Sequence, residues 1–167
     1  MSELPQLTAK NHVERDAAGR LVYMTIDSAT PLVAAQNLWL IAVDGSPHSL
    51  RATATTLHQA AAMKSCALHL VNVQPWLSHE AAESELLSRG WNATADARAM
   101  LDAAGQHWRL HVIMGEAAES IVNLAGKLTC DVIVIGHHGY GVAKTLLMGS
   151  VAQKVAYLSP LPLMVVP

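Results

Sequence analysis

Phenylalanine is absent from this sequence, and aromatic residues fill only 4% of its 167 positions although 51% are hydrophobic. A core without large rings has to be built from aliphatic side chains, which suits helices packed closely on a sheet. Charged residues make up 14% of the chain, and the formal net charge is −2. The sequence thus lacks the basic surface that a nucleic acid or an anionic membrane requires, and we expect neither as a partner.

Long apolar runs and paired cysteines are also missing. No hydrophobic stretch approaches the roughly 20 residues of a membrane span, and the first ten residues do not read as a secretory signal. Cys66 and Cys130 have no CxxC spacing and fall within predicted core elements, so we expect both as reduced packing residues. These absences predict a cytoplasmic protein, and the length fits one domain.

The motifs of several enzyme classes do not occur either. There is no GxxxxGK[ST] phosphate loop, no GxSxG nucleophile elbow and no GxGxxG after the first strand. His137 and His138 are adjacent, but no HExxH or Cys/His spacing accompanies them, which argues against a metal site. We therefore expect no catalytic residues and no resident metal ligands.

Strands and helices alternate from position 38 onward. Apolar runs at 38–43 and 131–136 predict strands buried on both faces, and 67–73 predicts another. The segment HWRLHVIM (107–114) alternates apolar and polar residues, which predicts a strand with one face or one edge toward water. The run PLMVVP (162–167) predicts a last, short strand at the edge of the sheet.

Four helical segments separate these strands. The first follows DGSPHS, where Gly45 turns the chain, Ser46 can cap and Pro47 suits the first helical position. Its predicted inward stripe is Leu50, Ala54, Leu57 and Ala61. The second segment spans about 78–104, with Gly90 as a kink or break, and the last two span 116–128 and 150–158.

Alternation of strands and helices predicts parallel pairing with right-handed crossovers. The two most apolar strands, which begin at 38 and 131, are the natural central pair, at the point where the strand order reverses. Ligands bind at such a switch point, outside the carboxyl ends of the strands. Asp44 and Gly136 follow these two strands, so we expect segments about 90 residues apart to converge on one crevice.

Three glycines mark the second of these segments. Gly136 ends a strand, Gly139 can take a positive φ or admit a close approach to the main chain, and Gly149 precedes the last helix. The first N–H groups of that helix have no intrahelical partner, so it offers an anion site. Read alone, Ser150-Val151-Ala152-Gln153 is a capping box.

The spacing Gly136-x2-Gly139-x9-Gly149-Ser150 resembles the nucleotide-binding pattern of the universal stress protein family. The segments VDGS, LVNVQP, GEAAESIVNLA and GSVAQKV are similar to that family as well. The resemblance spans about residues 38–167. It implies a universal stress protein domain at 37–167, preceded by an N-terminal extension (1–36) that is either a flexible arm or, through LVYMTI, an added strand covering a sheet edge or a partner subunit.

The resemblance implies an α/β fold with a five-stranded parallel sheet in the order 3-2-1-4-5 and helices on both faces. It also implies a site for ATP, with Mg²⁺, in the crevice between the first and fourth of those strands. The implied nucleotide-binding residues are Ala42, Val43, Asp44, Asn72, Gly136, Gly139, Gly149, Ser150 and Val151.

Within that set the resemblance assigns parts of the ligand. Ala42 and Val43 line the adenosine wall, and the backbone of Asn72 reads the adenine edge. Gly136 and Gly139 lie along the ribose and phosphates, and residues 149–151 hold the phosphate tail. Asp44 bonds a sugar hydroxyl or reaches phosphate through Mg²⁺, because a carboxylate repels bare phosphate. Lys144 reads as a solvated loop residue.

The implied function is a nucleotide-binding stress-response or signalling protein that responds by conformation or association. A homodimer through the C-terminal strand is expected, since that edge needs cover, from a partner or from the N-terminal arm. Two alternatives stay open. One is a dimeric adaptor that binds no nucleotide; the other is a slow ATPase, although the sequence contains no dedicated catalyst. The preference between ATP and AMP is also open.

Overall fold

The computed structural model describes residues 3–139 and 148–167. Within these ranges the strands are β1 (Val13–Arg15), β2 (Leu21–Asp27), β3 (Asn37–Ala42), β4 (Cys66–Gln74), β5 (Trp108–Met114), β6 (Val132–Gly136) and β7 (Leu163–Val166). The helices are α1 (Pro47–Ala61), α2 (His79–Ala93), α3 (Ala95–Ala103), α4 (Ala117–Leu128) and α5 (Ser150–Leu158). No helix in the described ranges is both long enough and apolar enough to cross a bilayer.

The strands form one mixed sheet in the order β1-β2-β5-β4-β3-β6-β7. The strands β5, β4, β3, β6 and β7 pair in parallel, so these five follow the expected order 3-2-1-4-5. The expectation of a five-stranded, wholly parallel sheet is wrong, because β1 and β2 add two antiparallel strands beside β5. The reversal of strand order at β3 and β6 is where the sequence predicts it.

The N-terminal segment supplies both added strands. The segment LVYMTI could be part of a flexible arm or an added strand, and the structure shows the strand. As β2 it pairs along β5 and covers that edge of the sheet. The three exposed residues of β1 carry no apolar signal in the sequence. This strand is held by the hydrogen bond from Thr25 N to His12 O and by the ion pair of Arg15 with Glu83 on α2. The N-terminal segment therefore does not cover β7, which lies at the other end of the sheet.

Two apolar layers sandwich the central strands. One lies between the sheet and α1, α2 and α3, and the other lies under α4 and α5. Successive residues of a strand point to opposite faces, so Leu40 joins the α4/α5 layer while Ile41 joins the other, and both are fully buried. This two-sided burial explains why the runs in β3 and β6 are apolar throughout.

The polar face of β5 meets water less than expected, because Arg109 is half-buried and His111 is fully buried. β5 lies between β4 and β2, and its His111 is 1% exposed. The His111 ring bonds Tyr23 Oη through Nδ1 at 2.7 Å and His69 Nδ1 through Nε2 at 2.8 Å. Arg109 donates to both carboxylate oxygens of Asp27, at 2.6 and 3.0 Å. Partners on β2 and β4 therefore replace the solvent that the alternation predicts.

The inward face of α1 agrees with the prediction only in part, since Leu50 and Leu57 pack against the core while partly buried. The start is as expected: Ser46 caps by accepting from Ser49 N, and Pro47 is the first helical residue. The buried side, however, consists of Ser49, Ala52, Thr53, Thr56 and Ala60, whereas Ala54 and Ala61 are exposed. The threonines can be buried because their hydroxyls donate to backbone carbonyls one turn earlier.

The second helical segment breaks at Thr94, not at Gly90, which lies inside α2. A Cβ on Gly90 would lie 2.5 Å from Val112 Cγ2, so this glycine is required for the close approach of α2 to β5. The Thr94 hydroxyl donates to Gly90 O at 2.8 Å and competes with the helical pattern there.

Both cysteines are free thiols, and burial raises the pKa of Cys130 to about 12.

The buried His69–His111 pair predicts a fold that weakens in acid. Burial lowers the pKa of His69 to about 4 and that of His111 to about 3. Below about pH 6.5 these two histidines therefore bind protons in the unfolded chain but stay neutral in the folded chain. The free energy of unfolding is therefore highest above that pH and decreases below it. At pH 5 each histidine lowers the free energy of unfolding by about 2 kcal/mol relative to its value at pH 8. Urea unfolding at the two pH values measures the difference.

Two variants provide the comparison for this prediction. His111→Gln removes one titrating group, so its stability should depend less on pH than that of the wild type, whatever its stability at pH 8. His58 is exposed on α1, and His58→Gln should keep the wild-type pH dependence. Equal wild-type stability at pH 8 and pH 5 would contradict the prediction.

Candidate functional site

A cavity of about 320 Å³ opens at the carboxyl ends of β3, β4 and β6. Cavities that hold small molecules start at about this size. The lining includes all nine residues named from the sequence: Ala42, Val43, Asp44, Asn72, Gly136, Gly139, Gly149, Ser150 and Val151. Residues that sequence reasoning missed also line it, among them Val71, Val73, Gln74, Ile121, His137 and His138. The expected convergence of the β3 and β6 ends on one crevice is therefore present.

The turn after β3 presents Asp44 at the mouth of the cavity. Gly45 has a φ of +86°, and a Cβ there would lie 2.9 Å from Ala93 O, so the turn requires glycine. Asp44 Oδ1 accepts from Ser46 N at 2.9 Å, which fixes the carboxylate beside the start of α1. Asp44 itself is exposed.

Two glycines bring the end of β6 against that turn. A Cβ on Gly136 would lie 2.7 Å from His48 C, and one on Gly139 would lie 2.6 Å from Asp44 Oδ2. Gly139 is not among the glycines with positive φ, so of its two proposed tasks the close approach applies. The carboxylate of Asp44 therefore lies directly against the main chain of Gly139.

The start of α5 closes the other side. Gly149 N donates to His137 O at 2.7 Å, and His137 N donates to Val166 O at 2.6 Å, so the end of β6 is held between α5 and β7. Gly149 is the N-cap, and no side chain caps the helix. The capping-box reading of Ser150 is thus wrong, because Ser150 already lies within the first turn. Ordinary helix geometry leaves the N–H groups of residues 150–152 without an intrahelical partner.

Asn72 forms the wall on β4 through contacts that the sequence did not predict. Its side-chain amide donates to Val43 O at 2.8 Å, and its Oδ1 accepts from Gln74 Nε2 at 2.7 Å. The first bond ties the end of β3 to β4 and the second lies within β4, and Asn72 is 3% exposed. The polar groups of the Asn72 side chain therefore already have protein partners.

Three histidines gather where β6 meets α1 and α5. The His138 ring lies 4.4 Å from His137 and 5.3 Å from His48, between ring centres and edge to face in both cases. In the described ranges, no group of three or more His, Cys, Asp or Glu residues is placed to hold a metal ion. Lys144 lies outside the described residues.

A second cavity, of about 350 Å³, lies at the opposite ends of the strands. Its lining includes Lys64, Cys66 and His107, which precede or begin β4 and β5. Parallel sheets bind ligands at their carboxyl ends, and this cavity lies at the amino ends, away from the glycines. The first cavity is therefore the candidate site.

The comparison with known families agrees with this geometry. The sequence model of the universal stress protein family matches residues 39–167, well over half of the chain. The chain belongs to the universal stress protein family. A universal stress protein of Thermus aquaticus is 31% identical over 133 residues, which cover 76% of this chain and 96% of that relative.

Solved structures of universal stress proteins share the fold. One, in complex with cAMP, is 25% identical with a TM-score of 0.63 and covers 81% of this chain and 99% of its own. The Archaeoglobus fulgidus universal stress protein in complex with dAMP is 19% identical with a TM-score of 0.60, covering 78% and 97% respectively. The family match begins at residue 39, after both added strands of the N-terminal segment.

The close approach at Gly136 predicts that alanine is not tolerated there. The added Cβ would meet backbone atoms of His48 at 2.7 and 2.8 Å, which cannot rotate away. We expect Gly136→Ala to lower the free energy of unfolding by about 1 to 3 kcal/mol, as overpacking does. Urea unfolding measures this change.

Gly126, exposed on α4, is the matched control, because a Cβ there meets nothing within 4 Å. Gly126→Ala should stabilise the protein by about 0.5 to 1 kcal/mol through helix propensity. Gly136→Ala with wild-type stability would mean that the β6 end does not need a glycine for packing.

Proposed function

We propose that this universal stress protein binds an adenine nucleotide, ATP with Mg²⁺, in the crevice between β3 and β6, and responds by a change in conformation or association. The observation that carries the proposal is the single cavity onto which all nine expected residues converge. Related structures hold cAMP and dAMP, which supports an adenine nucleotide as the ligand class. We also propose residues 37–167 as the binding domain and 1–36 as an extension of it.

The inner part of the cavity suits a nucleoside. Val71 and Val73 on β4, Ile121 on α4 and Ala42 on β3 supply apolar surface for a base and a sugar. Burial of such flat apolar area contributes about 25 cal/mol per Å². The Asn72 backbone at this wall is the proposed contact for the adenine edge.

The start of α5 suits the phosphates. The helix dipole alone contributes about 0.3 to 1 kcal/mol, whereas micromolar binding needs about 8 kcal/mol. Several charge-assisted hydrogen bonds from the N–H groups of residues 150–152, together with the buried base, have to supply the difference, because Gly149 N already donates to His137 O. Gly149 has no side chain of its own at this start, and no side chain of the described residues caps the helix.

Asp44 is the one carboxylate in the described lining of the cavity. Mg²⁺ is commonly held by one or two carboxylates together with phosphate oxygens, so a single rim carboxylate fits a metal that arrives with the nucleotide. Without the metal, Asp44 can instead accept from a ribose hydroxyl. In either role it keeps a bare phosphate away from the β3 side and favours its placement at α5.

Ser150→Asp tests the phosphate contact directly. A carboxylate at the first position of α5 favours the helix dipole but repels the ligand's phosphates. We expect Mg·ATP affinity to fall about tenfold or more, as like charges within about 5 Å of each other imply, while adenosine affinity stays unchanged. Isothermal titration calorimetry measures both ligands.

His79→Asp is the matched control, because His79 is exposed and is the first residue of α2, outside the cavity lining. It should bind Mg·ATP like the wild type. If the wild-type protein fails to bind any adenine nucleotide at millimolar concentration, the nucleotide proposal is wrong and the adaptor alternative replaces it.

We further propose that the protein forms a homodimer through β7. This strand pairs with β6 on one side only, and its residues Leu163, Met164 and Val165 are partly buried. The carbonyls of Pro162 and Val166 accept bonds from β6. Backbone groups alternate in direction along a strand, so those of Leu163 and Val165 point toward the open edge, where a second β7 can pair.

Val165→Pro removes one outward N–H and leaves the bonds to β6 in place. We expect it to shift the protein from dimer to monomer in light scattering coupled to size exclusion. An unchanged circular dichroism spectrum is the control for folding. A wild type that is monomeric at micromolar concentration, or a Val165→Pro variant that still dimerises, would contradict this edge as the interface.

A further inference from the structure

The imidazole of His138 stands beside the start of α5, between the two parts of the glycine motif. A Cβ built on Gly149 would lie 3.6 Å from His138 Nδ1, so that nitrogen is next to the N-cap of the helix. Nδ1 is buried and, among the residues that the structure describes, has no hydrogen-bond partner. His138 also lines the cavity. A buried polar atom at a helix start calls for a partner, and the cavity can deliver one.

The neighbouring histidine on α1 is held in one protonation state. Arg51 Nη2 donates to His48 Nδ1 at 2.7 Å, and Arg51 Nε donates to Pro167 O at 2.7 Å. Partial burial lowers the pKa of His48, as do Arg51 and the imidazoles of His138 and His137. His48 therefore stays neutral at physiological pH and accepts from Arg51, so it does not serve as the proton carrier of this group.

The charged groups on the elements around His138 include both signs. Asp44, across Gly139, acts on His48 in the direction opposite to Arg51. Lys154 on α5 pairs with Glu116 at 3.3 Å and with Glu119 at 3.2 Å at the start of α4, so one of these two carboxylate charges stays uncompensated. On the side of α1 the neighbouring groups are Arg51 and the neutral His48. On the side of β4 the neighbouring group is the uncharged Gln74. A phosphate at the start of α5 would thus meet Nδ1 of His138 with no intervening carboxylate on the α5 side.

We propose that His138 is a protonatable phosphate contact, which makes nucleotide binding and proton uptake at this imidazole strengthen each other. This inference rests on the proposed nucleotide binding. In the protonated ring both nitrogens donate, so Nδ1 can donate to a phosphate oxygen beside the N–H groups of α5. The charged ring also balances part of the phosphate charge. Linkage requires that a proton which raises nucleotide affinity is itself bound more tightly when the nucleotide is present.

The consequence is discrimination by phosphate charge. Protonation of the ring raises the affinity most for a ligand with several phosphates and less for a cyclic monophosphate. It leaves the affinity for a nucleoside unchanged. The site would therefore prefer ATP over cAMP more strongly at pH 6 than at pH 8. His138 would set this preference without contacting the base.

Calorimetric titrations at pH 6 and pH 8, with Mg·ATP and with adenosine, test the proposal on the full chain. We expect wild-type affinity for Mg·ATP to rise at least about fivefold at the lower pH while that for adenosine stays level. At pH 7, titrations in buffers of different ionisation enthalpy should reveal net proton uptake on binding. His138→Gln, which keeps a polar side chain but cannot take up the proton, should lose most of the rise and the uptake.

His58→Gln replaces an exposed histidine on α1 and should behave like the wild type. Titration of the ligand's own phosphates is common to all variants, so the difference between variants isolates His138. If wild type and His138→Gln bind Mg·ATP with the same pH dependence, the proposal is wrong although nucleotide binding stands. If no variant binds a nucleotide at either pH, both this inference and the proposed function fail.

Discussion

The hydrogen bond between Gly149 N and His137 O is the contact on which the arrangement of the site depends. It joins the end of β6 to the start of α5, and the neighbouring bond from His137 N to Val166 O joins the same residue to β7. A Cβ on Gly149 would lie 3.2 Å from His137 O and 3.2 Å from His138 Cα, so a glycine suits this close approach of the two main chains. Because α5 is anchored in this way, its first turn points into the crevice.

The nine histidines of the chain illustrate how burial and partnership divide one residue type into different tasks. His69 and His111 share a closed hydrogen-bonded chain with Tyr23, inside the sheet and away from the cavity. Their neutral rings specify the register of β2, β4 and β5, because a shift by one residue would leave them buried without partners. His138 lies in the lining instead, where a bound molecule can reach it. The same side chain thus serves the fold in one place and is available to a ligand in another.

Much of the candidate site could be predicted from the sequence because it depends on local signals. Strand ends, turn residues and helix starts mark Asp44, Gly136 and Gly149, and the alternation of elements brings them together. The errors concern long-range partners. The polar face of β5 looked solvent-exposed, since nothing near it in the sequence indicates that β2 will supply Asp27 and Tyr23.

The remaining errors have the same cause. Gly90 looked like a helix breaker because the strand that it packs against, through Val112, is 22 residues away. Ser150 looked like a cap because the competing bond from Gly149 N to His137 O cannot be read from a local motif. The role of a residue was thus predictable where residues near it in the sequence determine its contacts. It was missed where a strand distant in the sequence determines them.

The short polar strand β1 limits how copies of this molecule can assemble. A sheet with two open edges can be extended by copy after copy into a filament, since each addition leaves a new edge. Here one end of the sheet terminates in three exposed residues, Val-Glu-Arg, with a register irregularity at the last of them. Charged side chains and a distorted ladder are poor templates for another strand. Growth by strand pairing can therefore proceed only from β7, and pairing of two such edges leaves no further edge to extend.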